Sequence, residues 1–131
     1  MALKRFKEYD MYESAKNALR RRYPASDGWE IFERDNRKTG YIPDFVIERP
    51  RVKGIFIDTP MKKAIAEVKA EKIITEQHAR QLTEYVRNHA GGKQEIVGRH
   101  LIVPAGADIS KIESLIAKFN IEVIRLNSFK R

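Results

Sequence analysis

Lys63-Ala64-Ile65-Ala66-Glu67-Val68-Lys69-Ala70 alternates as a strand does, with Ala64, Ala66 and Val68 on one side and Ile65, Glu67 and Lys69 on the other. Two charged side chains spaced two apart then share one face of an otherwise apolar strand. Reading outward from this stretch gives the remaining elements. Upstream, Pro43 to Glu48 forms a second strand with Asp44-Phe45-Val46-Ile47 inside it, and Trp29 to Arg34 a third with Trp29 and Ile31 on one face. Between them and the opening stretch lie a loop from Pro50 to Gly54 and a short strand, Ile55-Phe56-Ile57-Asp58, which Thr59-Pro60 interrupts. The chain opens with a helix from about Lys4 to Tyr23, on which Tyr12, Ala15 and Leu19 recur at helical spacing. Arg20-Arg21-Arg22 suit the negative end of its dipole, and Pro24 follows. Downstream, a helix from Thr75 to His89 carries Ile74, Ala79, Leu82 and Val86 on one stripe and ends at Gly91-Gly92. Arg99 to Val103 is a strand stopped by Pro104. Ser110-Lys111-Ile112-Glu113 reads as a capping box that opens a helix with Ile112, Leu115, Ile116 and Phe119 on its apolar face. Asn120 ends that helix, and Ile121 to Leu126 is the last strand. The order α-β-β-β-α-β-α-β predicts an α/β fold. Antiparallel strands come first and a strand–helix–strand crossover follows, so the sheet is mixed and flanked by helices.

The 131 residues fit one domain, 1–131, with enough chain to bury a core without staples. The absence of cysteine excludes disulfides, thiolate zinc sites, iron–sulfur clusters and cysteine nucleophiles. Met1-Ala2-Leu3-Lys4-Arg5 is not followed by an apolar h-region, and no run approaches the roughly 18 apolar residues of a membrane span, so a cytoplasmic protein without a membrane partner is expected. Twenty-six basic against 18 acidic residues leave a net charge of +8, which attracts polyanions, nucleic acid foremost.

Asp44, Glu67 and Lys69 are the charged residues that apolar strands would not otherwise place there. Hydrolysis of a phosphodiester needs charge neutralised on the phosphoryl oxygens and a water made nucleophilic, and a hard divalent cation does both. Magnesium takes one or two carboxylates and keeps waters elsewhere. Asp44 and Glu67 can supply the carboxylates, and the backbone carbonyl of Val68 a third oxygen. Lys69 on the same face can position the water or stabilise charge on the phosphoryl group.

Pro43-Asp44 followed by Glu67-Val68-Lys69 resembles the PD-(D/E)xK nuclease superfamily, and the order of elements is similar to the restriction-endonuclease-like core of that family. Gln81-Leu82-Thr83-Glu84-Tyr85 resembles the Gln-x-x-x-Tyr motif of RecBCD-type nuclease domains, and its two end residues share a helical face. The resemblance implies a Mg²⁺ site at Asp44 and Glu67 that Mn²⁺ can also occupy, Lys69 in catalysis, and Gln81 and Tyr85 contacting substrate or bracing the site. It also implies an acid on the opening helix, for which Glu13 is the candidate. Iron–sulfur-binding relatives carry cysteines that this chain lacks, which moves the likeness towards standalone nucleases such as junction resolvases and restriction-type enzymes. The implied activity is a metal-dependent DNA endonuclease acting on branched, flapped or duplex DNA, as a homodimer because a duplex offers two strands to cut.

Several of these residues have ordinary structural uses too. Glu67 and Lys69 alone are a common surface pair. Glu13 can close a capping box begun at Asp10 or pair with Lys16. Gln81 and Tyr85 can be helix-surface and half-buried residues. His78, His89 and His100 share no spacing with an acid and read as helix-surface or strand-edge groups. Lys62-Lys63 and Arg20-Arg21-Arg22 read as solvated faces that hold phosphates without specificity, with Lys72 and Arg80 better placed near the site. The rival to a nuclease is a non-catalytic nucleic-acid-binding module that retains the fold. A ribonuclease of the same fold ranks below DNA on the resemblance alone.

Overall fold

The computed structural model describes residues 6–34, 43–50, 52–53, 58–59, 61–89 and 94–130, with the backbone alone at 52–53, 58–59, 85–89 and 94. The helices are α1 (Tyr12–Arg22), α2 (Glu76–His89) and α3 (Glu113–Phe119). The strands are β1 (Glu30–Glu33), β2 (Phe45–Arg49), β3 (Val52–Lys53), β4 (Asp58–Thr59), β5 (Met61–Val68), β6 (Gln94–Ala105) and β7 (Glu122–Lys130). Five strands form one sheet in the order β1-β2-β5-β6-β7. β1 and β2, and β2 and β5, run antiparallel, whereas β5, β6 and β7 run parallel. This is the mixed sheet that the order of elements predicts. β3 and β4 pair with each other as a separate two-stranded ribbon. Val52 and Lys53 are therefore extended where the sequence reads as loop. Residues 54–57, with most of the expected Ile55–Asp58 strand, lie outside the described residues.

Alternation along the strands builds one core on each face. Phe45, Ile47, Ala64, Ala66, Val68 and Ile102 face α1, which contributes Tyr12, Ala15, Ala18 and Leu19. Val46, Ile65, Leu101 and Val103 face the opposite way, onto Ile74, Ala79 and Leu82 of the α2 segment and onto Ile112, Leu115, Ile116 and Phe119. Fully burying one Ile or Leu stabilises by about 1.5–3 kcal/mol. The alternation is therefore what holds the register, because a one-residue slip would turn each strand's apolar set to the wrong layer.

Several local details depart from the expectation. The opening helix begins with a 3₁₀ turn at Glu8–Met11, and Asp10 closes its start by accepting the Lys7 N–H at 2.8 Å. Pro104 does not stop β6. It lies past Ile102, the last β6 residue that pairs with β5, and just before a register shift against β7, where a missing N–H is tolerated. The expected Ser110 cap is absent: Ser110 opens a 3₁₀ turn, and Asp108 Oδ1 accepts the Ser110 N–H at 2.9 Å. Asn120 ends α3 in the left-handed conformation, as expected. Lys63 is not a solvated phosphate holder. It is buried opposite Glu48 on β2, with Nζ 3.3 Å from Glu48 Oε1. The Gly91-Gly92 stop lies outside the described residues. No helix among the described residues is long and apolar enough to cross a membrane.

Candidate active site

The antiparallel pairing of β2 with β5 sets Phe45 opposite Ala66, so Asp44, just before β2, arrives beside Glu67 and Val68 at the end of β5. This is the carboxyl end of the parallel strands, where open α/β sheets place their ligand crevices. Asp44, Glu67 and Lys69 are 8%, 4% and 9% exposed. The Asp44 carboxylate is held on both oxygens: the Tyr12 hydroxyl donates to Oδ1, and the Val68 N–H donates to Oδ2 at 2.7 Å. Lys69 Nζ stands 3.8 Å from Glu67 Oε1.

Glu67 Oε2 is buried with no hydrogen-bond partner. Burial pushes the Glu67 carboxyl up, the neighbouring Asp44 carboxylate pushes it further, and Lys69 offsets only part of this, so it reaches about 9. Two adjacent buried carboxyls, one of them missing a partner, form a donor set that a hard divalent cation would complete. Among the described residues no group of three or more His, Asp and Glu converges. Two carboxylates with a backbone carbonyl such as that of Val68 still suit magnesium, which keeps several waters.

Glu13 does not join this group. Its side chain is 78% exposed and reaches Arg20 at 4.0 Å, while Lys16 pairs with Glu33 instead. The acid that the opening segment brings close is Glu8, on the 3₁₀ turn. Burial raises its carboxyl against the pull of Lys69, and Asp44 and Glu71 add to the rise. No spacing rule finds Glu8, because the turn that presents it is not α-helical. His78 on α2 is also within electrostatic reach of Lys69. Burial lowers it, Glu71 opposes that at 3.8 Å, and its Nδ1 accepts the Thr75 N–H.

Gln81 follows His78 by three positions, on the same flank of α2, and its Oε1 is buried without a partner. Arg80 is exposed, pairs with Glu76 at 3.8 Å, and lines a cleft of about 450 Å³ with Gln77, Gln81 and Glu84. Lys72 is exposed on the segment after β5, its carbonyl accepting the Asp108 N–H. Tyr85 lies on α2, but its side chain is outside the described residues, as is that of His89.

His100 is a buried group on an interior strand of the sheet, contrary to the expected strand-edge position. Its Nε2 meets the Tyr23 hydroxyl at 2.6 Å, and its Nδ1 lies 2.8 Å from Glu122 Oε1, an ion-pair contact off the line of a good hydrogen bond. Arg22 Nε donates to the same Glu122 oxygen at 2.8 Å. Burial lowers the imidazole and raises the Tyr23 hydroxyl to about 12. Burial also raises Glu122, but Arg22 and His100 outweigh it and hold the carboxyl below its usual range. Gly98 makes room for the cluster: a Cβ there would overlap the Tyr23 hydroxyl and lie 2.7 Å from His100 Nε2.

The same architecture occurs in a repair endonuclease from Pyrococcus abyssi, with TM-score 0.52 and 16% identity, covering 96% of this chain and 49% of that one. It also occurs in EndoMS in its complex with double-stranded DNA, with TM-score 0.51 and 20% identity, covering 91% of this chain and 46% of that one. The shared feature is the fold, a mixed sheet flanked by helices, and this chain spans about half the length of each. No family model matches the chain, and no curated protein matches it by sequence.

Proposed function

We propose that the chain is a divalent-metal-dependent DNA nuclease whose site is built from Asp44, Glu67 and Lys69. The observation that carries this reading is the unpartnered, buried Glu67 Oε2 beside Asp44 at the carboxyl end of the parallel strands. Asp44, Glu67 and the Val68 carbonyl would hold Mg²⁺ or Mn²⁺. When bound, the cation would supply Lewis acidity to a phosphoryl oxygen and make a water more acidic. Lys69, a fixed cation beside Glu67, orients the attacking water and stabilises charge gathering on the phosphoryl oxygens. Glu8 takes the place expected of Glu13, as an acid on the opening segment that faces the site. Gln81, Lys72 and Arg80 supply contacts to the DNA strand, and the +8 charge draws the duplex in. The fold held in common with a repair endonuclease and with a DNA-bound EndoMS supports a DNA substrate.

The test is cleavage of linear, flapped, branched and single-stranded DNA with Mg²⁺ or Mn²⁺. Glu67→Ala and Lys69→Ala are each expected to slow it about 100-fold or more, the scale of losing one stabilising group in a site of this kind. Cleavage that survives both substitutions sinks the assigned site. DNA binding that chelator leaves unchanged, with no cleavage of any substrate, would favour the non-catalytic module.

A further inference from the structure

We propose that Tyr12 is a positioning residue for the metal site, its hydroxyl fixing the orientation in which the Asp44 carboxylate meets a divalent cation. The role rests on the reading of Asp44 and Glu67 as that site. Asp44 is held at three acceptors. Its carbonyl accepts the Arg34 N–H at 2.9 Å, its Oδ2 accepts the Val68 N–H at 2.7 Å, and its Oδ1 accepts the Tyr12 hydroxyl. The first two donors are main-chain groups, which any residue but proline supplies. Tyr12 on Oδ1 and the Val68 N–H on Oδ2 together set the carboxylate's rotation, and Tyr12 is the side chain among these three donors. A carboxylate offers about four lone-pair positions, so two donors leave about two for a cation.

The hydroxyl suits this task because it is neutral. A lysine or arginine in its place would itself neutralise Asp44 and oppose a cation, whereas a phenol orients the carboxylate and leaves its charge available. Tyr12 is in turn fixed. It is the first residue of α1 and is buried. Its ring centroid lies 5.2 Å from that of Phe45, and the Arg34 guanidinium carbon sits 5.6 Å from the ring centre. Arg34 reaches that position from a left-handed backbone, φ 49°, a conformation that strains a non-glycine residue. That strained residue supplies both the N–H on the Asp44 carbonyl and the cation beside Tyr12. Partners that orient a metal ligand are commonly worth about 10–100-fold in metal affinity.

Tyr12→Phe keeps the ring and removes the donor. The probe is Mn²⁺ alone, titrated into the full chain by calorimetry or by its electron paramagnetic resonance signal, with thermal unfolding as the check on folding. Tyr12→Phe is expected to stay folded and to weaken Mn²⁺ binding about tenfold or more. In cleavage, the Mn²⁺ concentration for half-maximal rate should rise by the same factor, and saturating Mn²⁺ should bring the rate back to within about threefold of the parent. A packing role alone would lower Tm and leave Mn²⁺ binding unchanged. Arg34→Ala, at an exposed position, gives a second reading on a folded protein and is expected to weaken Mn²⁺ binding in the same direction. Folded variants that bind Mn²⁺ within about twofold of the parent overturn the role of Tyr12, since orienting partners are worth more than that. Asp44→Asn separates the two ideas. If the parent binds no Mn²⁺, or Asp44→Asn binds it equally well, the metal-site reading fails and the role of Tyr12 falls with it. If Asp44→Asn abolishes binding and Tyr12→Phe leaves it intact, only the role of Tyr12 is overturned.

Discussion

Helix α1 carries a tyrosine at each end, and each meets a buried polar group of the sheet in a different kind of site. Tyr12, at the start, donates to Asp44 beside β5. Tyr23, the residue after the last turn, meets His100 on β6, where Glu122 and Arg22 complete a chain of contacts. In the second cluster every charge touches a countercharge, and the result fastens the end of α1 to the parallel half of the sheet. In the first, two carboxyls lie side by side, Glu67 Oε2 has no partner, and one carboxyl is pushed up to about 9. A cluster whose charges are matched stabilises the fold, even with His100 Nδ1 off the line of a good hydrogen bond, whereas one left short of a positive charge weakens the fold until a ligand supplies it.

That contrast is most exposed at the largest expected effect, on cleavage. Glu67→Ala should lower the rate about 100-fold or more, while His100→Gln should leave it within about threefold if the second cluster is only a fastener. Comparable losses in both would erase the distinction. Gly98→Ala comes next. Its methyl overlaps the Tyr23–His100 contact, so urea unfolding should show about 1–3 kcal/mol of lost stability, with Mn²⁺ binding unaffected.

Stability against pH separates the clusters in opposite directions. The folded protein holds a proton on Glu67 that the unfolded chain releases above its ordinary value of 4.5, so this group lowers stability as pH rises from 4.5 towards 9. In chelator, Glu67→Gln should therefore raise Tm at pH 8 and not at pH 4, with a gain on the order of 1–2 kcal/mol. An equal gain at both pH values would mean that the carboxyl is not held protonated. The smallest effect belongs to His100, kept neutral by burial. Below its ordinary 6.5 the unfolded chain takes up the proton first, so stability falls as pH drops through about 6.5 towards the lower folded value. His100→Gln should flatten that part of the Tm profile. A profile equally steep in the variant would show that another group titrates there.

The alternation of Ala64 to Val68 and of Asp44 to Ile47 made the strands, their faces and the shared face of Glu67 and Lys69 legible in the sequence, because period-two patterning follows directly from the pleat. The acid on the opening segment was not legible. The resemblance implies an acid on the opening helix and Glu13 is its candidate there, but the segment starts with a 3₁₀ turn that leaves Glu8 half-buried within electrostatic reach of Lys69 and Asp44, while Glu13 turns to solvent. Pro104 misleads for a related reason: whether a missing N–H ends a strand depends on which neighbour would have accepted it, and β5 has already ended there.

The sequence by itself determined which residues alternate, where helices end, and that a carboxylate and a Glu–Lys pair sit on strands that would otherwise be apolar. Only the tertiary structure decided that Asp44 lands beside Glu67, that Tyr12 and the Val68 N–H divide the Asp44 oxygens between them, and that His100 and Lys63 are buried with partners while Glu67 Oε2 has none. The physical reason is range. Patterning is set by neighbours a few residues away. The charge, burial and partners of a polar group are set by whichever strand pairs beside it and whichever helix packs over it.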